Sequence, residues 1–327
     1  MNPWKHRLDP KSDIIFKRLF RDKQILIPFL NDTLHLNGLD RIVDVTLLET
    51  TKEREHPEDK QISMDIQALT EQNMRVNIEI QLTDEHNMEK RSIYYWATMV
   101  ASMMSIGMDY IDLPKAVSIL FVDFNLFPQT DNYRNVFQFM EEKNHFLLTD
   151  MGEILYVELP KALRKLKERL VSASDDPSLK WIIFLLAPND ETMAEEVEIM
   201  AIEDPVMNYA VQRLEEISSD PAVIAEYQRR RKFELDEAAK ITRAERLSNE
   251  KGKLEGKLEN AHHNAIEILN ARFGGQGQSL KSTILSLTNE ETLSKVVVIL
   301  ATAPTFLAAV ESIKVLSTPP PKPRIRS

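Results

Sequence analysis

Residues 65–81, DIQALTEQNMRVNIEIQ, decide the fold. From residue 75 onward the side chains alternate. Val76, Ile78, Ile80 and Leu82 point to one face and Asn77, Glu79 and Gln81 to the other, the period of two that a β-strand imposes. Residues 62–69 read as a partner strand, and a short polar turn around Gln72 joins the two. A hairpin centred on Gln72 brings Asp65 across from Glu79 and Gln67 across from Asn77. Directly opposed residues have Cβ atoms about 4.5–5.5 Å apart. Two carboxylates at that spacing repel unless a cation lies between them or one is protonated. Mg²⁺ suits such a pair, because it takes one or two carboxylates, keeps several waters and is completed by phosphate oxygens. A solvent-facing sheet carrying two acidic residues gives the same pattern, and a slip of one residue would move every side chain to the other face.

Outward from this hairpin, the spacing predicts a helix over residues 11–20, with Ser12 and Asp13 as N-cap types, and a second over residues 24–36 closed at Gly38. Residues 42–48 read as a strand and residues 50–60 as a polar loop. Residues 89–108 predict a long helix closed near Gly107. The run AVSILFVDF, residues 116–124, has the near-continuous apolar character of a strand buried on both faces. Residues 136–140 and 154–159 add two strands at the sheet margin. The order of these elements describes a mixed α/β core.

Beyond Pro160 the texture becomes helical, and the expected division is a core domain over 1–190, an acidic and then charged long-helix linker over 191–262, a small helical unit over 263–316, and a disordered tail over 317–327. Leu247, Leu254 and Leu258 fit an a/d seam, but only over two heptads. Residues 222–262 therefore read either as a spacer or as a helix through which copies of the chain associate. His262 and His263 lie in a charged helical segment without a third ligand and read as surface.

The formal charge of −10 argues against a nucleic-acid partner, but its distribution weakens the objection. Residues 189–220 hold ten acidic side chains and one basic one, so the rest of the chain is close to neutral. Residues 5–23 carry seven Lys or Arg against three Asp, and residues 160–170 carry five against one. These stripes are compatible with DNA, or with solvated helix faces. There is no cysteine, which removes disulfides and thiolate chemistry. No apolar run approaches the roughly 18 residues that span a bilayer, and the first residues lack a secretory leader. A cytoplasmic protein without membrane attachment is expected. GxxxxGK, HExxH and GxSxG motifs are absent.

Several stretches occur in order at credible spacing: LDPKSDIIFKRLF (8–20), ILIPFLNDTL (25–34), the Asp65 strand, NIEIQ (77–81) and EKRSIYYWATMVASMMSIGMDYIDL (89–113). AVSILFVDFNLF (116–127), YVELPK (156–161) and Trp181 follow. As an ordered set, over about residues 8–190, they resemble the PD-(D/E)XK nuclease family transposases, also called recombination-promoting nucleases (Rpn). The resemblance implies a restriction-endonuclease-like core, a mixed sheet flanked by helices, and a Mg²⁺-dependent endonuclease acting on DNA, with Mn²⁺ able to substitute. It implies that Asp65 and Glu79 bind the metal, that the main-chain carbonyl of Ile80 adds a ligand, and that Gln81 stands where other members of the superfamily carry Lys. Asp13 matches the acidic residue of the first helix, a place where it also serves as a helix cap.

Gln81 cannot act as a cation or as a base near neutral pH, so its role is to orient or polarise. The missing positive charge then falls to a second metal, to Lys60 or to Arg91. Arg91 is also a candidate phosphate contact, whereas Tyr94 and Tyr95 read as packing. Two functions stay open: a metal-dependent DNA endonuclease, or a catalytically weak nuclease-fold protein that binds DNA or protein.

Overall fold

The computed structural model describes residues 3–49 and 65–317. The expected loop over 50–60 with Lys60, the start of the Asp65 strand, and the tail lie outside the described residues. Six strands, β1 (Val45–Leu48), β2 (Ile66–Thr70), β3 (Met74–Gln81), β4 (Lys115–Val122), β5 (Arg134–Gln138) and β6 (Gly152–Glu158), form one mixed sheet in the order β1-β2-β3-β4-β6-β5. In the β2–β3 hairpin Ile66 lies opposite Ile78 and Gln67 opposite Asn77, which is the expected register. Asp65 immediately precedes β2 and so falls in line with Glu79. The turn closes with Asn73 at φ 59° and its N–H on the Thr70 carbonyl at 3.0 Å. Asn tolerates that left-handed conformation better than most residues.

Parallel pairing of β3 with β4 and of β4 with β6 puts β4 in the interior, where seven of its eight residues are buried. Of the two strands expected at the margin only β5 is an edge, because β6 pairs on both sides and buries Leu155, Tyr156 and Val157. One face of the sheet, with Val76, Ile78, Val117, Ile119, Leu155 and Val157, packs under a helical layer. That layer consists of α1 (Asp13–Phe20), α2 (Lys23–Thr33), α4 (Leu159–Lys167), α5 (Leu179–Leu186), α6 (Glu191–Glu203) and α7 (Pro205–Ser219). The opposite face is covered by α3 (Met88–Ala101), whose Trp96 and Met99 meet Ala116 and whose Met88 joins Leu120, Val122 and Tyr156.

Two helices end earlier than their glycines suggest. Helix α2 stops at Thr33 because His35, at φ 57°, takes the left-handed position, and the Leu36 N–H turns back onto the Asn31 carbonyl at 2.8 Å. Gly38, also left-handed, serves the next turn instead. Helix α3 stops at Ala101, and Gly107, at φ 88°, lies in the following loop.

The domain boundary also differs from the expectation. The chain divides into two compact units, 1–230 and 231–327. Residues 191–219 are not a linker. Helices α6 and α7 bury Met193, Val197, Met207, Val211, Leu214 and Ile217 in the core of the first unit and keep their acidic residues outward. Helix α8 (Pro221–Phe273) continues past residue 262 and passes through Gly252 and Gly256 without a break. In the second unit, Ala265 and Leu269 pack with α9 (Gln278–Leu285), α10 (Glu290–Thr302) and α11 (Phe306–Ser317). Of the suggested seam, Leu258 packs against this core while Leu247 and Leu254 are exposed. Among the described residues no helix is long and apolar enough to cross a membrane.

Candidate active site

The polar face of β3 is buried. Asn77 is 1% exposed and Glu79 4%, on the side of the sheet where α3 lies. That excludes the solvated-sheet reading of the carboxylate pair. A buried carboxylate needs partners, and Glu79 has Asn77, whose side-chain amide donates to Glu79 Oε1 at 3.0 Å. Two residues apart on one strand, Asn77 and Glu79 project side by side on the same face.

Asp65 sits where β2 begins. The Ile80 N–H donates to its Oδ2 at 3.1 Å, and the Lys17 ammonium lies 3.1 Å from its Oδ1. In an extended strand the N–H and C=O of one residue point the same way, so the Ile80 carbonyl also faces the side on which Asp65 lies. Helix α1 supplies Asp13 and Lys17, one turn apart, with Lys17 Nζ 2.7 Å from Asp13 Oδ1. Apolar Ile15, Phe16, Leu19 and Phe20 anchor the other side of α1 in the core, which fixes where its polar side presents. Asp13 is the first helical residue rather than a cap. Ser12 holds the N-cap position and spends its hydroxyl on the Asp9 carbonyl at 2.9 Å.

Gln81 closes the strand. Its Oε1 accepts from Arg91 Nη1 at 3.2 Å and its amide donates to the Thr83 carbonyl at 3.0 Å. The Arg91 guanidinium lies over the Tyr95 ring at 5.3 Å and 3.9 Å from Glu85. Tyr95 packs with the Trp96 cluster, whereas Tyr94 is exposed. The structure therefore brings Asp13, Lys17, Asp65, Asn77 and Glu79 together, with Gln81 and Arg91 beside them. His262 and His263 play no part here: His262 Nε2 is 2.9 Å from the Leu287 carbonyl and His263 pairs with Glu267.

Electrostatics follow from burial. Burial pushes the Glu79 carboxyl up to about 7; the Asp65 charge adds to the rise, while the Asn77 hydrogen bond and the Arg91 and Lys17 charges oppose it. Burial likewise raises Asp65 to about 6, against the pull of Lys17 and the Ile80 N–H. At Asp13 burial is outweighed by the hydrogen bond and charge of Lys17, and the carboxyl is held below its usual range. Lys17 is raised, because the charges of Asp65 and Asp13 overcome its own desolvation.

Such a pair of high-lying carboxylates is what a divalent cation would relieve. Among the described residues no group of three or more His, Cys, Asp or Glu surrounds one point. A cation here would be held by two carboxylates, with water and phosphate oxygens completing its shell. That donor set is all hard oxygen and fits Mg²⁺.

Lys17 and the orienting role of Asn77 went unread in the sequence. Both had signals: Lys17 stands four residues after Asp13, one helical turn, and Asn77 two residues before Glu79. Among known proteins, a family model described as PD-(D/E)XK nuclease family transposase matches residues 10–244. No curated protein and no solved structure matches the chain. The mixed six-stranded sheet with its flanking helices is consistent with that family's fold, and the family match spans most of the chain. The chain belongs to the PD-(D/E)XK nuclease family transposases.

Proposed function

We propose that this protein is a Mg²⁺-dependent DNA endonuclease, with Mn²⁺ able to substitute, that acts in the cytoplasm on DNA undergoing recombination. The observation that supports this reading most is the carboxylate pair at the end of the β2–β3 hairpin, Glu79 buried and Asp65 half-buried. Hydrolysis forms one bond between a water oxygen and phosphorus and breaks one between phosphorus and the leaving oxygen, which takes up a proton. A divalent cation, when bound, supplies a water of lowered pKa and neutralises charge building on the phosphate. Asp65 and Glu79 would hold it, with the Ile80 carbonyl as a further ligand. Asn77 fixes the Glu79 carboxylate and the Ile80 N–H fixes that of Asp65, so neither has to reorganise when the ligand arrives. Gln81, anchored through Arg91 and the Thr83 carbonyl, offers dipoles rather than charge. Asp13 holds Lys17 beside Asp65, and Arg91 stands at the rim as a candidate phosphate contact.

A second reading, a nuclease-fold binding module with weak or no catalysis, draws on one observation: the position after Ile80 carries a neutral side chain already engaged at both ends. Incubation with supercoiled plasmid separates the two. The endonuclease reading expects nicking with Mg²⁺ or Mn²⁺ that Asp65→Ala and Glu79→Ala each reduce by about a hundredfold or more. Cutting that survives both substitutions would mean that another site is at work. Intact plasmid in the presence of DNA binding would favour the binding module.

A further inference from the structure

Resting on the nuclease reading, the charge balance of the site leaves one charge unaccounted for. Asp65 and Glu79 carry two negative charges, which a divalent cation would cancel, and Asp13 carries a third beside Lys17. The phosphodiester then brings a negative charge of its own, and charge grows on its oxygens as the bond to the leaving group breaks. Gln81 is neutral, and Arg91 is occupied by Gln81 Oε1 and the Tyr95 ring. The Lys17 ammonium already lies in the site, 3.1 Å from Asp65 Oδ1 and 2.7 Å from Asp13 Oδ1, with its side chain three-quarters buried.

We propose that Lys17, delivered by α1 rather than by β3, supplies the positive charge that Gln81 lacks and faces the phosphate undergoing cleavage. The two oxygens of Asp65 are divided between partners: Oδ2 takes the Ile80 N–H and Oδ1 takes Lys17. Lys17 and a bound divalent cation would therefore compete for the Asp65 carboxylate. Asp13, one helical turn earlier, keeps Lys17 at the site through that competition. On this account Asp13 is a positioning residue, and Lys17 competes with the metal in the resting protein and works beside it in the reaction. The anchoring of α1 by Phe16, Leu19 and Phe20 keeps the lysine from swinging away into solvent.

Lys17→Met and the double variant Lys17→Met/Gln81→Lys test this, read by Mg²⁺-dependent thermal unfolding and by plasmid nicking. Removing the competitor is expected to lower the Mg²⁺ concentration for half-maximal stabilisation by about threefold. The same change is expected to slow nicking by about a hundredfold or more. Adding Gln81→Lys returns a cation from the strand and is expected to recover about tenfold of the rate. A merely structural lysine gives neither the tighter metal binding nor the recovery. Nicking by Lys17→Met within about threefold of wild type overturns the proposal, as does loss of its Mg²⁺ response. Failure of the underlying nuclease reading looks different: wild type itself does not nick, or Asp65→Ala nicks as well as wild type.

Discussion

Glu79→Gln is expected to make the metal-free protein more stable at pH 8 by about 3 kcal/mol, and to leave its stability near pH 4 unchanged. The sign follows from the raised carboxyl. Burial penalises the charged form of Glu79 and pushes its carboxyl up to about 7 in the folded chain, against an ordinary value of 4.5. Between those values the folded state binds more protons than the unfolded state. Stability therefore falls as the pH rises from about 4.5 to about 7 and levels off above it. An amide never ionises, so the variant escapes that fall, while its carbonyl oxygen still accepts from Asn77. Asp65, raised to about 6, contributes a loss of the same sign that persists in the variant. Urea unfolding of both proteins in EDTA across pH 4 to 8 measures the difference. Parallel curves would show that Glu79 is ionised without cost and would remove the electrostatic reason for a cation beside it.

Lys161→Met is expected to destabilise the first unit by about 3–5 kcal/mol. Glu158, at the end of β6, is fully buried, and its two oxygens hold the loop after β4 in place. Oε2 accepts the Leu126 and Phe127 N–H groups at 2.8 and 3.2 Å, and Oε1 accepts the Asn135 amide at 3.1 Å. Lys161, in the first turn of α4, answers that charge at 2.8 Å and donates to the Phe127 and Thr130 carbonyls at 2.7 and 2.9 Å. Methionine keeps the volume but leaves a buried carboxylate without its counter-ion and two carbonyls without a donor. Adding Glu158→Gln to Lys161→Met should recover part of the loss, since it removes the unpaired charge. Equilibrium unfolding in urea reads both effects. A change below about 1 kcal/mol for Lys161→Met would show that water reaches the pair.

The parts of the structure that the sequence foretold are local. The hairpin register followed from a turn length and a period of two, so the alignment of Asp65 with Glu79 was legible from a few neighbouring residues. The buried strand expected over 116–124 and found at 115–122 followed from composition, as did the long helix expected over 222–262, which extends over 221–273. What was not legible depends on partners distant along the chain. Whether Asn77 and Glu79 face water is decided by tertiary packing on that side of the sheet, where α3 meets β4 and β6. Lys17 looked like one cation in a basic stripe, and only the arrival of Asp65 from another element gives it a role. The acidic charge of residues 191–219 concealed the apolar stripe running through Met193, Val197, Met207, Val211 and Leu214, which makes two core helices of an expected linker. At the end of α2 a histidine took the left-handed position that glycine usually fills, which shifted the boundary.

On the proposed function, Asp65 and Glu79 form a divalent-metal site. Thermal or urea unfolding at pH 8 with increasing Mg²⁺ tests it most directly, for wild type and Asp65→Ala side by side. Wild type should gain stability with metal, reaching about 3 kcal/mol when Mg²⁺ exceeds its dissociation constant a hundredfold, and Asp65→Ala should gain almost none. Equal stabilisation of the two proteins, or none in wild type, would contradict the claim.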